Sequence, residues 1–147
     1  MSYTIYLSGE IHSDWREQIK QGILDNQLDI EVLTPITDHD ASDNVGSNIL
    51  GTEANAFWKD HKAAKINSLR TNSFISRSDI VVVKFGDKYK QWNAAFDAGI
   101  ATGLGIPIIT LHSSDLTHPL KEIDASALAV TETPSQVIEI LKYISQP

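Results

Sequence analysis

Short β-rich runs alternate with longer stretches of helical spacing along the chain, and neither a repeat nor a low-complexity segment interrupts them. Residues 3–7 read as a first strand ending at Ser8-Gly9, and residues 13–24 place Trp15, Ile19, Ile23 and Leu24 on one helical face behind Ser13 or Asp14, either of which suits an N-cap. Residues 30–33 form a second strand pattern, stopped by Thr34-Pro35. Residues 37–51 are rich in Asp, Asn, Ser and Gly and read as a long loop, a feature that in a compact domain is more often functional than filler. A long helical stretch over 54–75 leads to a third strand over 79–85, apolar enough to be buried on both faces. A helix over 92–104, a strand over 106–111, a possible fifth strand over 127–130 and a terminal helix over 135–144, announced by Thr133-Pro134-Ser135, complete the pattern.

Strands alternating with helices predict an α/β fold, here a flavodoxin-like three-layer sandwich with a five-stranded parallel sheet in the order 2-1-3-4-5. In that order the strand direction of growth switches between strands 1 and 3, and ligands bind beyond the carboxyl ends of the strands at such a point. The topology brings Ser8-Gly9-Glu10 and Lys84-Phe85-Gly86-Asp87 to one sheet edge, with Asp97 in the first turns of the helix that follows. A carboxylate in that position can act as a nucleophile or grip a sugar hydroxyl.

At 147 residues the chain (1–147) is expected to be a single domain that buries roughly two thirds of its unfolded surface. Twelve Lys and Arg against nineteen Asp and Glu give a net charge of -7, which repels a phosphate backbone and argues against a nucleic acid polymer as partner. The absence of cysteine removes disulfides, thiolate catalysis and thiolate metal sites. The first residues lack the basic and apolar regions of a signal peptide, and no apolar run approaches the roughly 18–20 residues that span a bilayer, so a cytoplasmic protein without membrane association is expected. Neither GxGxxG nor GxxxxGK[ST] occurs, so a dinucleotide or nucleoside triphosphate has little support, and no cofactor is expected. Asp38-His39-Asp40-x-x-Asp43 has metal-ligand types at a spacing that matches neither an EF-hand nor a zinc motif; it reads as a solvated or substrate-covering loop, and no metal is expected.

Several polar residues follow the strands. Gly9 permits close approach of backbone to a ligand, although glycine also closes ordinary βα turns. Glu10 is a candidate acid, His12 a candidate proton donor near neutral pH and Arg16 a candidate anion ligand, against the alternative of capping and surface charge. Arg70, at the end of a charged helix, lies close to strand 3 and is the one cation of that helix placed for a site. Trp92 can stack on a base and Asn93 can hydrogen-bond a sugar hydroxyl or base edge. His112 follows strand 4 and is a weaker candidate, and Trp58 is expected to be a core or interface residue.

The segments Thr4-Ile-Tyr-Leu-Ser-Gly9, Ser78-Asp-Ile-Val-Val-Val83, Asn93-Ala-Ala-Phe-Asp97-Ala-Gly-Ile-Ala101 and Gly105-Ile-Pro-Ile-Ile109 resemble the nucleoside 2-deoxyribosyltransferase family. Gly9-Glu-Ile-His-Ser-Asp-Trp-Arg16, Asp38-His-Asp-Ala-Ser-Asp-Asn44, Lys88-Tyr-Lys-Gln-Trp-Asn93 and His118-Pro-Leu-Lys-Glu122 are similar to its YtoQ branch, over nearly the whole chain. The resemblance implies Asp97 at the position of the family's nucleophilic glutamate and Tyr6 at that of the tyrosine that orients it. It implies a retaining displacement at an N-glycosidic bond through a glycosyl-enzyme, resolved by an acceptor base or by water, with a nucleoside or nucleotide as small-molecule partner. It also implies a homo-oligomer, dimeric or larger. Where the family commonly places further carboxylates, this chain has Arg70-Thr71-Asn72 and Gln91-Trp92-Asn93. The alternative is a non-catalytic protein that binds or senses a nucleotide or sugar derivative, with Asp97 gripping a hydroxyl.

Overall fold

The computed structural model describes residues 2–147. Five strands, β1 (Tyr3–Gly9), β2 (Ile30–Leu33), β3 (Ile80–Lys84), β4 (Ile108–Leu111) and β5 (Ala129–Thr131), form one parallel sheet in the order β2-β1-β3-β4-β5. Six helices join them: α1 (Trp15–Asp25), α2 (His39–Leu50), α3 (Ala56–Ser76), α4 (Trp92–Gly103), α5 (Lys121–Ser126) and α6 (Pro134–Ile144). The expected α/β fold and strand order are therefore present, with β1 and β3 as the neighbours at the switch point.

Period-2 alternation in each strand divides the core into two layers. Ile5 and Leu7 of β1, Val82 of β3 and Ile109 and Leu111 of β4 pack against Trp15, Ile19 and Ile23 of α1 and Val137 and Leu141 of α6. The alternate residues Tyr6, Val81, Val83 and Ile108 face Ile75 of α3 and the Ala94, Ala98, Ala101 stripe of α4. Ile80 to Val83 are buried throughout, as expected for a central parallel strand covered on both sides. The terminal helix begins with a capping box in which the Thr133 hydroxyl accepts the Gln136 N–H while the Gln136 side chain accepts from the Thr133 N–H.

One expectation needs correction. Residues 37–51 are not a loop: Asp38 accepts the Ala41 N–H at 2.8 Å and caps α2, which packs along α3 as a helical hairpin. Gly46 makes the hairpin possible, since a Cβ there would lie 2.6 Å from the Lys62 Cβ and 2.8 Å from the Ala63 nitrogen. Tertiary packing thus outweighs the weak intrinsic helix propensity of Asp, Asn, Ser and Gly. The segment between β4 and β5, unassigned by pattern, contains a short 3-10 turn (Ser114–Leu116) and α5. Among the described residues no helix is long and apolar enough to cross a membrane.

The contact that sets the site lies at the end of β1. Gly9 has φ +107°, and a Cβ built on it would fall 2.1 Å from the Lys84 carbonyl oxygen of β3, inside any van der Waals limit. That carbonyl accepts the Glu10 N–H at 3.0 Å, so the two strands remain in register past the sheet edge. Gly9→Ala is therefore expected to lose stability beyond the roughly 1–2 kcal/mol of a left-handed alanine, because backbone must also move. Gly105→Ala, at φ +75° with open space around it, is expected to lose only the conformational part. Urea denaturation of the two variants beside the parent gives the comparison.

Candidate active site

On α4, Ala94, Asp97, Ala98 and Ala101 fall at i, i+3, i+4 and i+7, which puts a carboxylate in the stripe that faces the sheet. The small side chains of the three buried alanines let the helix sit close to β1 and β3. Asp97 consequently reaches the alternate residues of β1 that point to the same side, Tyr6 and Ser8. The Ser8 hydroxyl, fully buried, donates to Asp97 Oδ2 at 2.6 Å. Tyr6, also buried, packs edge-on against Phe74 with ring centroids 6.2 Å apart.

Burial raises the Asp97 carboxyl above its ordinary value, and the Ser8 hydrogen bond works in the opposite direction by favouring the ionised form. The Tyr6 phenol is pushed up to about 12, by burial first and by the Asp97 charge second, against the Thr71 hydroxyl and the charges of Arg16 and Arg70. A phenol with that value stays protonated at neutral pH and keeps its O–H as a donor. Burial pulls Arg16 down to about 10, so the guanidinium is still charged at neutral pH.

Arg16 does not serve an anion. Its Nε donates to the Leu7 carbonyl at 3.0 Å, Nη1 to the Glu10 carbonyl at 2.5 Å and Nη2 to the Gly9 carbonyl at 3.0 Å, so the side chain clamps the turn that leaves β1. The Trp15 indole N–H adds a bond to the Glu10 carbonyl at 2.7 Å. The Glu10 carboxylate is engaged as well: Oε1 accepts the His12 N–H and Oε2 accepts the Ser13 hydroxyl at 2.5 Å. Asp14 occupies the N-cap position of α1 without a side-chain bond to the backbone, and Glu10 ties the preceding turn instead.

These elements enclose a cleft of about 720 Å³, within the roughly 300–1,000 Å³ range of small-ligand sites. Tyr6 and Asp97 line its floor, and Gly9, Glu10 and His12 form one wall from the β1–α1 turn. Arg70 on α3 and Trp92 and Asn93 at the start of α4 form the opposite side. Arg70 stacks over Phe74 and donates to the Thr34 carbonyl at 3.3 Å, while Trp92 stands 73% exposed at the rim. The His12 ring lies 5.3 Å from His39 and 4.7 Å from Tyr89, joining the turn to α2 and to the 86–91 segment across the mouth. Gly9 lines the cleft, yet its missing side chain is demanded by Lys84 rather than by ligand approach.

Other sequence candidates lie elsewhere. His112 is buried away from the cleft lining, with Nε2 2.8 Å from Asp124 Oδ2 and Nδ1 2.7 Å from the Ser113 carbonyl. Trp58 is half exposed on α3 rather than in the core. Of the 38–43 segment, Ser42 and Asp43 border the cleft, and among the described residues no group of three acidic, His or Cys side chains is placed to hold a metal. Pattern reading placed Ser8 at the sheet edge without assigning it a role, and assigned none to Thr71 or Tyr89. Ser8 was detectable, because it stands two residues after Tyr6 on a strand and must share its face.

A doubly wound parallel sheet with a carboxylate-floored cleft at its switch point defines a class of small-ligand α/β proteins. Residues 6–145 match the family described as Nucleoside 2-deoxyribosyltransferase YtoQ, and the chain belongs to that family. "Uncharacterized protein YtoQ" of Bacillus subtilis (strain 168) is 44% identical over 144 residues, covering 98% of this chain and 97% of that protein. The 2-deoxyribosyltransferase of Bacillus psychrosaccharolyticus has a similar fold, with a TM-score of 0.55 and 19% identity over 92% of this chain and 90% of that one. The CMP N-glycosidase of Clostridium botulinum is similar at a TM-score of 0.53 and 14% identity, covering 96% of this chain and 98% of that one.

The raised Asp97 carboxyl has a consequence for stability. A folded-state value above the unfolded one means that ionising Asp97 opposes folding, so the stability contributed by its neutral form is present at acid pH and lost as pH rises through the folded value. Asp97→Asn is therefore expected to raise Tm at neutral pH, with the gain shrinking towards acid pH. Calorimetry of parent and variant across pH provides the measurement.

Proposed function

We propose that this chain is a single-domain enzyme acting at the N-glycosidic bond of a nucleoside or nucleotide, as deoxyribosyltransferase or as N-glycoside hydrolase. The observation that carries this reading is the Asp97 carboxylate, held at the floor of a ligand-sized cleft by a buried serine beside a buried, protonated tyrosine. Membership of the family and the similarity in fold to a 2-deoxyribosyltransferase and a CMP N-glycosidase support the same reaction class.

In the proposed reaction an Asp97 oxygen attacks the anomeric carbon, forming a glycosyl ester as the bond to the base breaks and its electron pair leaves with the base. The departing base nitrogen takes a proton from His12, whose ring faces the cleft mouth while Glu10 is occupied as an acceptor. Water or a second base, giving its proton to the His12 left neutral by the first step, then attacks the same carbon and releases Asp97, so two inversions retain the configuration. Tyr6 lends its O–H to the carboxylate side of the cleft, Trp92 stacks on the base, and Asn93 and Arg70 bind the sugar or its substituents. The chain acts in the cytoplasm as a homo-oligomer, an arrangement supported by the exposed Trp92 and Phe96 at the cleft rim.

The second reading is a non-catalytic pocket for a nucleotide or sugar derivative. The observation in its favour is that Asp97 is one methylene shorter than the family glutamate, and a displacement of about 1 Å can cost a reaction on the order of 10²-fold.

Incubation with deoxyribonucleosides, ribonucleosides and their monophosphates, followed by intact-mass spectrometry and chromatography of released base, separates the two. A sugar-sized adduct or free base is expected from the parent, and Asp97→Ala is expected to lose on the order of 10⁴-fold or more in rate. Binding in a thermal-shift assay with no adduct and no base release favours the pocket. Size-exclusion chromatography with light scattering is expected to give a dimer or larger particle, and a monomer mass overturns the oligomer.

A further inference from the structure

We propose that Ser8 is a positioning residue for Asp97, fixing one carboxylate oxygen so that the other is presented to the cleft in its reactive orientation. This rests on the reading of Asp97 as the reacting carboxylate. The inference starts from the geometry of aspartate. Its terminal torsion joins sp³ to sp² carbon and has a broad, shallow profile, so the plane of the carboxylate is set by its partners rather than by the side chain itself. Here the hydrogen bond on Oδ2 is from Ser8, at 2.6 Å, and among the described residues no side-chain donor is recorded at Oδ1. One oxygen is thus tied to the sheet and the other is left unengaged on a residue that lines the cleft.

Ser8 is built for this and for little else. It is fully buried, does not border the cleft, and stands in β1 in register with Val83 of β3, so its Cα position is set by the central strand pair. A residue so enclosed does not reach substrate, which rules it out as a nucleophile of its own. The neighbouring clamp adds rigidity: Arg16 binds the carbonyls of Leu7 and Gly9, the residues on either side of Ser8. Ser8 and Tyr6 share a strand face, but only the Ser8 hydroxyl bonds the carboxylate, while the Tyr6 phenol is paired with Thr71. For a nucleophile with one methylene fewer, such fixation replaces reach by orientation. The hydroxyl also favours the ionised carboxylate against the effect of burial.

The test uses the intact protein with Ser8→Ala and, as a variant of nearly parental volume with a weaker donor, Ser8→Cys. The Asp97 carboxyl carbon is followed by NMR against pH, its signal identified by its loss in Asp97→Asn. Ser8→Ala is expected to move the Asp97 titration to higher pH, with Ser8→Cys between it and the parent. On a substrate found as above, Ser8→Ala is expected to lower kcat on the order of 10²-fold with KM little changed, and to move the acid limb of the rate profile upward. An unchanged Asp97 titration in Ser8→Ala overturns the inference, whatever the activity shows. An unchanged kcat beside a shifted titration overturns the orienting role. If base release survives in Asp97→Ala, the reading of Asp97 as the reacting carboxylate falls and the Ser8 inference falls with it, whereas loss in Asp97→Ala with full kcat in Ser8→Ala removes the Ser8 inference alone.

Discussion

The close approach of β1 to β3 at Gly9 is the constraint on which the site depends. Because the Lys84 carbonyl occupies the space of a side chain there, β1 leaves the sheet on a path open only to glycine, and the chain must turn at once into α1. Left alone, such a turn would expose three carbonyl groups of Leu7, Gly9 and Glu10 to a protein interior. Arg16 answers all three with one planar guanidinium, and Trp15 adds a donor to the last. The cost of burying that cation is offset by the bonds it makes, and the reward is a rigid wall from which Glu10 and His12 project.

Asp97 illustrates the opposite balance. Its place in the alanine stripe of α4 costs stability, since burial disfavours its charge, and the Ser8 hydrogen bond works against that cost. An apolar residue in that position would avoid this cost but leave the buried Ser8 hydroxyl without its partner. Groups held against their own solvation preference in a cleft cluster at functional sites, because the same desolvation that penalises the folded protein strengthens the group's interaction with a charge that develops in a ligand. Tyr6 is held similarly: a phenol kept protonated by burial and by the neighbouring carboxylate remains a donor throughout the neutral range.

The family supplies the chemical frame in which these features make sense, and the chain also departs from it. Arg70-Thr71-Asn72 and Gln91-Trp92-Asn93, where the resemblance to the wider family would imply carboxylates, line the cleft. The His12 ring stacks on His39 and meets Tyr89 at a tilt, which draws together three segments distant in sequence.

How much of this was legible in the chain differs by length scale. Strand order and switch point followed from local periodicity, because buried parallel strands such as Ile80 to Val83 must be apolar on both faces and helices such as α1 and α6 need an apolar stripe. The placement of Ser8, Gly9 and Asp97 near one edge followed from the same topology, since ligands gather where the strand order reverses, whereas Tyr6 was implied only by the family resemblance. Residues 37–51 misled, because their polar composition describes a loop and their helix exists only through packing of Gly46 on α3. Arg16 misled for a related reason: a lone cation after a strand looks free until the carbonyls it serves are seen. The sequence by itself determined which residues alternate, which are small and which carry charge, as these are local properties of the chain. Only the tertiary structure decided that Ser8 meets Asp97 across 89 positions, that Glu10 is engaged and that His12 faces Tyr89, since a hydrogen bond depends on ångström distances between segments that no local pattern encodes.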